Sequence, residues 1–248
     1  MKKIVIGITG GIAIYKTCEI ISRLKKKNYD IEVIMTESAT KFITPLTFGA
    51  LIHKPVLVDD FDETGYQIKH SNIVKEADCF IVVPATANII AKIANGIADD
   101  ALTSSFLAAT CPKIIAPAMN VHMYENTATQ KNLDLCRSYG IKIVEPEIGD
   151  LACGYQGKGH LSDIEDLLDA IEYMISPHPL QGKHVLITAG PTQESLDPVR
   201  FISNHSSGKM GYALARAARK LGAHVTLISG PSQLRAPYEV DIIKIQSA

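Results

Sequence analysis

Short apolar runs alternating with amphipathic stretches predict an α/β protein built on a doubly wound parallel sheet, followed by the start of a second α/β domain. Three observations carry this expectation. Runs such as Lys3-Ile-Val-Ile-Gly-Ile-Thr9 and Cys79-Phe-Ile-Val-Val83 are almost continuously apolar and β-branched, as strands buried on both faces are. Between such runs, apolar residues recur at helical spacing. Glycine, proline or hydroxyl residues close the runs, so each strand hands over to a helix through a defined turn.

The first run ends at Gly10-Gly11, after which Ile14, Cys18, Ile21 and Leu24 form a helical stripe. Lys25, Lys26 and Lys27 suit the negative end of that helix and Asn28 can close it. Residues 31–35 are the next strand. Gly10 and Gly11 at a strand-to-helix turn suit an anion such as phosphate, a plain tight turn being the alternative. Thr36 and Ser38 place hydroxyls at the second such junction, and Thr44-Pro45 starts a helix. His70 opens a helix expected over 70–77, as a solvated end residue or as a base whose neutral form the helix start favours.

The strand at 79–83 is closed by Pro84, and Ala85, Thr86 and Asn88 follow. A helix over 87–94 stops at Asn95-Gly96, and Asp99 is the expected cap of the next one. Lys113 to Ala116 is a further buried strand, whose pairing should stop at Pro117. Met119 and Asn120 would then sit past the carboxyl end of a strand, where open α/β sheets bind ligands. Asn120 can hold a carboxylate or simply close its own turn. A helix over 126–139 and a strand over 141–144 complete this half.

Residues 149–160 carry four glycines and read as a lid too flexible to be an element, with Cys153 inside it as a structural thiol or a proton donor. Ser162 and Glu165 predict a capping box for the helix that follows. The proline-containing stretch 176–183 reads as a linker, giving domains 1–177 and 178–248. Beyond it, strands over 184–189 and 224–229 flank a helix opened by Gly208 and Gly211, and Ile242 to Ile245 would leave an apolar edge. Two strands and a helix are too few to bury a core, so this half is expected to be incomplete.

Composition narrows the function classes. With 46% hydrophobic and 21% charged residues the chain is an ordinary globular protein. A net charge of −1 gives no basis for a nucleic-acid or anionic-membrane partner, and no apolar run reaches transmembrane length. Five cysteines without metal-ligand spacing suggest no metal site and a reducing compartment, hence the cytoplasm.

These motifs together resemble the bifunctional phosphopantothenoylcysteine decarboxylase / phosphopantothenate–cysteine ligase family of coenzyme A biosynthesis. His70 before an Ile-containing helix, Pro117-x-Met119-Asn120, Leu151-Ala-Cys-Gly154, the loop Pro84 to Asn88 and Ile97-Ala-Asp-Asp100 match its decarboxylase part. Asp197 to Gly211 matches the start of its ligase part. Tyr124 stands where tryptophan is usual and is still able to pack flat against a ligand, and His160 stands where arginine is usual.

The resemblance implies a flavodoxin-like, Rossmann-like flavoprotein that binds FMN and assembles as a homo-oligomer, trimer-based, up to a dodecamer. It implies FMN contacts from Gly10, Gly11, Ile12, Thr36, Ser38, Pro84, Ala85, Thr86, Asn88 and Ser104. It implies substrate contacts from Met119, Ala152, Gly154 and, in the ligase part, Asn204. The implied reaction turns 4′-phosphopantothenoylcysteine into 4′-phosphopantetheine: thiol oxidation to a thioaldehyde, loss of CO₂, then reduction of the enethiol. His70 would be the base, Asn120 would hold the carboxylate and Cys153 would protonate carbon. Magnesium and CTP belong to the family's ligase reaction, which a chain ending at Ala248 is not expected to perform. A flavin prenyltransferase shares the N-terminal glycines but not the Met-Asn motif with the cysteine lid. A non-catalytic flavin-fold regulatory subunit would not need His70, Asn120 and Cys153 together.

Overall fold

The structure is a computed structural model describing residues 1–59, 69–150 and 156–247, with backbone alone at 69, 70, 150 and 156. By internal contacts the chain forms two compact units, Met1–Ile171 and Glu172–Ala248.

In the first unit β1 (Lys3–Ile8), α1 (Ile14–Lys26) and β2 (Asp30–Met35) form a β-α-β unit. The short α2 (Glu37–Thr40), α3 (Pro45–Ile52) and α4 (Lys69–Val74) lead to β3 (Cys79–Ala85). Then come α5 (Ala87–Ala94), α6 (Ala101–Ala108), β4 (Lys113–Pro117), α7 (Val121–Glu125), α8 (Thr127–Ser138) and β5 (Lys142–Ile143). The five strands lie in the order β2-β1-β3-β4-β5, all parallel. Ile4, Val5, Ile6 and Ile8 are fully buried, as is the whole of β3, which explains apolar runs that do not alternate. Phe80 and Phe106 meet edge to face at 5.1 Å in the core on one side of the sheet.

Chain order reverses between β1 and β3: β2 lies outside β1, whereas β4 and β5 lie beyond β3. At such a switch point the connections leave towards opposite faces, opening a crevice at the carboxyl ends of the strands. Pairing does not stop at Pro117, as its sequence suggested. After a bulge, Ala85 and Pro117 face each other, and the amide of Ala118 donates to the carbonyl of Ala85 at 3.0 Å. A proline lacks a donor but leaves its neighbours' amides available.

Two expected caps move by one residue. Asp100, not Asp99, caps α6, its carboxylate accepting from the amide of Thr103 at 2.7 Å while Thr103 Oγ1 accepts from the amide of Asp100. Asp99 instead pairs with Lys92. Before α9 (Ile164–Ile175), Asp163 accepts from the amide of Glu165 at 2.8 Å, and the buried hydroxyl of Ser162 makes no hydrogen bond. The glycine-containing stretch is also more regular than expected. β6 (Glu147–Asp150) and β7 (Gln156–His160) form an antiparallel hairpin. Glycines there serve close packing, since a Cβ on Gly157 would strike Val121 and one on Gly159 would strike the carbonyl of Met119. The expected lid residues 151–155 lie outside the described residues.

In the second unit β8 (His184–Ala189), β11 (His224–Ser229) and β12 (Asp241–Lys244) form a parallel sheet ordered β12-β11-β8. Between them lie the two-residue strands β9 (Glu194–Ser195) and β10 (Phe201–Ile202), which pair antiparallel, and α10 (Lys209–Lys220). One helix against three strands does bury a small core, of Ala189, Tyr212, Ala215, Ala223, Val225 and Leu227. The expectation of none was too strict. β12 and β8 are the two edges: Ile242 of β12 packs on the core, whereas Ile243 of β12 and Leu186 of β8 face outward and are exposed.

Candidate functional site

The site is built at the carboxyl ends of β1, β3 and β4. Thr9 follows β1 with a fully engaged hydroxyl, donating to the carbonyl of Pro84 at 2.7 Å and accepting from the amide of Thr86 at 3.2 Å. Thr17 on α1 donates to the carbonyl of Val83 at 3.1 Å. These two hydroxyls lock the β1–α1 and β3–α5 turns side by side. A Cβ on Gly11 would lie 3.8 Å from the Thr86 methyl, and one on Gly10 only 2.8 Å from the Ser38 side chain. Thr36 and Ser38 hydroxyls are 3.1 Å apart, so three strand-to-helix turns converge on the two glycines.

A cavity of about 350 Å³ opens beside them, lined by Gly10, Ile12, Ala13, Thr86, Ala118, Met119, Asn120, Met123, Gly159, His160 and Leu161. Its wall is mostly apolar, with a few hydroxyl, amide and imidazole groups, as small-molecule sites are. Asn120 caps α7, its Oδ1 accepting from the amide of His122 at 2.8 Å. The amide of Met119 donates to the carbonyl of Gly159 at 3.0 Å, which joins the β4 loop to the hairpin. Lys16 Nζ lies 3.3 Å from Nε2 of His160; an ammonium can only donate, so this Nε2 is the acceptor.

The expected residues divide accordingly. Gly10, Ile12, Thr86, Met119 and Asn120 line the cavity. Gly11, Thr36, Ser38, Pro84 and Ala85 form the turns behind it. Asn88 is exposed on α5 and Ser104 half-buried on α6, neither among the lining residues. The backbone of His70 lies in the first turn of α4, its side chain outside the described residues. Ala152, Cys153 and Gly154 also lie outside them. Asn204 is exposed in the second unit, where Oδ1 closes a turn onto the amide of Ser206 at 2.9 Å. Sequence reasoning missed Thr9, Ala13, Lys16 and Gly159; a threonine ending an apolar strand was the one available signal.

Tyr124 is not among the residues lining the cavity. It is 3% exposed, and its hydroxyl donates to Oε2 of Glu145 at 2.5 Å. Lys158 donates to the same oxygen at 2.9 Å, and Arg137 pairs with Oε1. Partial burial alone would raise the Glu145 pKa, but hydrogen bonds from Tyr124, Lys158 and Arg137 outweigh it and hold the carboxyl below its usual range. Burial, then the neighbouring carboxylate, push the Tyr124 phenol well up. The thiols of Cys18, Cys79, Cys111 and Cys136 are free, and the described residues contain no cluster suited to a metal ion.

A parallel sheet ordered 2-1-3-4-5, with a mostly apolar cavity at its β1/β3 switch point, defines a flavodoxin-like α/β protein. The chain belongs to the Flavoprotein family, which matches residues 1–176, and residues 180–248 match the C-terminal domain of DNA/pantothenate metabolism flavoproteins. The coenzyme A biosynthesis bifunctional protein CoaBC of Bacillus subtilis (strain 168) is 50% identical over 252 residues, covering 100% of this chain and 62% of the relative. The chain thus spans about 62% of the length of the curated relatives it matches. The FMN-dependent cysteine decarboxylase SpaF superimposes with a TM-score of 0.60 at 31% identity, over 68% of this chain and 93% of that one. A PPC decarboxylase variant complexed with pantothenoylaminoethenethiol does so with a TM-score of 0.60 at 25% identity, over 68% and 96%.

Proposed function

We propose that residues 1–177 form an FMN-dependent decarboxylase that converts 4′-phosphopantothenoylcysteine to 4′-phosphopantetheine in coenzyme A biosynthesis. The observation that carries this reading is the convergence of Gly10, Thr86, Met119 and Asn120 on one cavity at the switch point of a flavoprotein-family sheet. The likeness to solved cysteine and PPC decarboxylases supports the reaction class.

The residues present suit a flavin nucleotide. Gly10 admits the Ser38 side chain, the open space at Gly11 leaves room for a phosphate near the hydroxyls of Thr36 and Ser38, and Ile12, Ala13 and Met119 offer apolar surface for a ring. Pro84, Ala85 and Thr86 would complete that seat, with Asn88 and Ser104 at its margin. When bound, the flavin supplies the two-electron exchange that a carboxylate next to a CH₂–SH group needs in order to leave.

The chain itself orients and moves protons. Engaging Oδ1 as the α7 cap fixes the plane of the Asn120 amide, whose N–H groups can donate to the substrate carboxylate. His70, at the amino end of α4, takes the thiol proton as a neutral imidazole. Cys153 returns a proton to carbon, with Ala152 and Gly154 holding the substrate arm. The mostly apolar wall offers the departing carboxylate few polar partners besides Asn120. Residues 178–248, with Asn204, contribute the start of a ligase fold whose reaction uses CTP and magnesium. The protein acts in the cytoplasm as a homo-oligomer; among the described residues no helix is long and apolar enough to cross a membrane.

Purified protein should be yellow, release flavin on denaturation and liberate CO₂ from 4′-phosphopantothenoylcysteine without added nicotinamide cofactor. His70→Asn should keep the flavin and lose turnover by about 10²-fold or more. A colourless protein, or wild-type turnover in that variant, would count against the reading.

A further inference from the structure

Glu145 is absent from the cavity lining, yet two of its partners, Tyr124 and Lys158, adjoin residues that line it. It follows Val144, whose amide donates to the carbonyl of Ile115 at 2.9 Å and pins the end of β5 to β4. Pro146, next in sequence, is buried. From that fixed point one carboxylate gathers Tyr124 from α7, Arg137 from α8 and Lys158 from β7. Lys158 also sits over the Tyr124 ring, 5.3 Å from its centroid.

The two walls of the cavity are extensions of those partners. Tyr124 adjoins Met123, and its amide donates to the carbonyl of Asn120 at 2.9 Å. Lys158 adjoins Gly159, whose carbonyl accepts from Met119, and His160 and Leu161 follow. Joining Tyr124 to Lys158 through one carboxylate therefore adds a second tie, beside the Met119–Gly159 hydrogen bond, between the Asn120–Met123 wall and the Gly159–Leu161 wall.

We propose that Glu145 is a positioning residue: by holding Tyr124 and Lys158 together it sets the width of the cavity in which Asn120 meets the substrate carboxylate. This rests on the function proposed above. Glu145 and Lys158 side chains are 43% and 42% exposed, and exposed pairs add little to global stability. The effect of Glu145 should thus appear in the cavity and not in the melting temperature.

Glu145→Gln and Tyr124→Phe, each in the full chain with its flavin, test this beside wild type. Tyr124→Phe keeps the buried ring and deletes only the hydroxyl. Losing a hydrogen bond to a charged group should speed exchange of the Met119 amide, and raise KM for 4′-phosphopantothenoylcysteine, by about ten-fold each. Changes in kcat should be smaller, with flavin content and melting temperature unchanged. If exchange or KM stays within about two-fold of wild type in both variants, a change too small for one such bond, Glu145 does not position the cavity. A parallel loss of flavin and melting temperature would equally overturn the proposal, by making the residue a general structural one. Wild type without turnover would count against the decarboxylase reading alone, because Met119 exchange is read without substrate.

Discussion

Glu145 also gives a pH signature. Its folded pKa lies below the ordinary 4.5, so its ion pairs contribute local stability around the cavity that is present above that value and lost as pH falls through the folded pKa. The gap in Met119 amide protection between wild type and Glu145→Gln, compared at matched pH, should therefore be constant near neutrality and shrink on acidification below about 4.5. A gap that widened in acid would contradict the assigned hydrogen bonds. Thiols give a second test. Burial pushes Cys79 far up and Cys136 up to about 11, leaving almost no thiolate at neutral pH. Both should resist iodoacetamide in the native protein and react only on unfolding. At this scale the sequence marked polar residues at strand ends but not their partners. Asn120 was legible because it follows a proline-closed strand, while Glu145 looked like any surface acid.

Among elements, the strand-to-helix turns carry the sharpest prediction. A Cβ on Gly10 would lie within 2.9 Å of the Ser38 side chain and carbonyl carbon, and backbone cannot rotate away. Gly10→Ala should cost about 1–3 kcal/mol and weaken flavin retention, measured by urea unfolding and by flavin content after dialysis. The α6 cap separates neighbours in the same way. Asp100→Ala should destabilise by about 1 kcal/mol, whereas Asp99→Ala loses only an exposed pair with Lys92 and should stay within about 0.5 kcal/mol. Strands and helices were legible because burial on both faces and 3.6-residue periodicity write themselves into residue type. Cap positions were not, because two adjacent aspartates differ only in the backbone dihedral each adopts. The hairpin β6–β7 was hidden for a related reason: its glycines signal flexibility in a sequence, whereas here they admit Val121 and the Met119 carbonyl.

For the whole molecule, every residue lining the cavity and the core beneath it lies within Met1–Ile171, and the second unit buries its own small core. Residues 1–177 expressed alone should therefore retain flavin at the stoichiometry of the 248-residue chain, as measured by absorbance after denaturation. A fragment that folds but emerges without flavin would show that the second unit contributes to the site.

Alternating apolar runs and amphipathic stretches determined by themselves the doubly wound class, the second α/β beginning, and Gly10, Thr86, Met119 and Asn120 as residues at strand ends. Such features are local: a strand buried on both faces must be apolar, and a turn that meets a ligand must be small or polar. Strand order, the contacts of Thr9 with Pro84 and Thr86, and the joining of Tyr124, Arg137 and Lys158 on Glu145 were decided only by the tertiary structure. Those contacts link residues up to 77 positions apart, and a hydrogen bond between distant residues leaves no periodicity for a sequence to display.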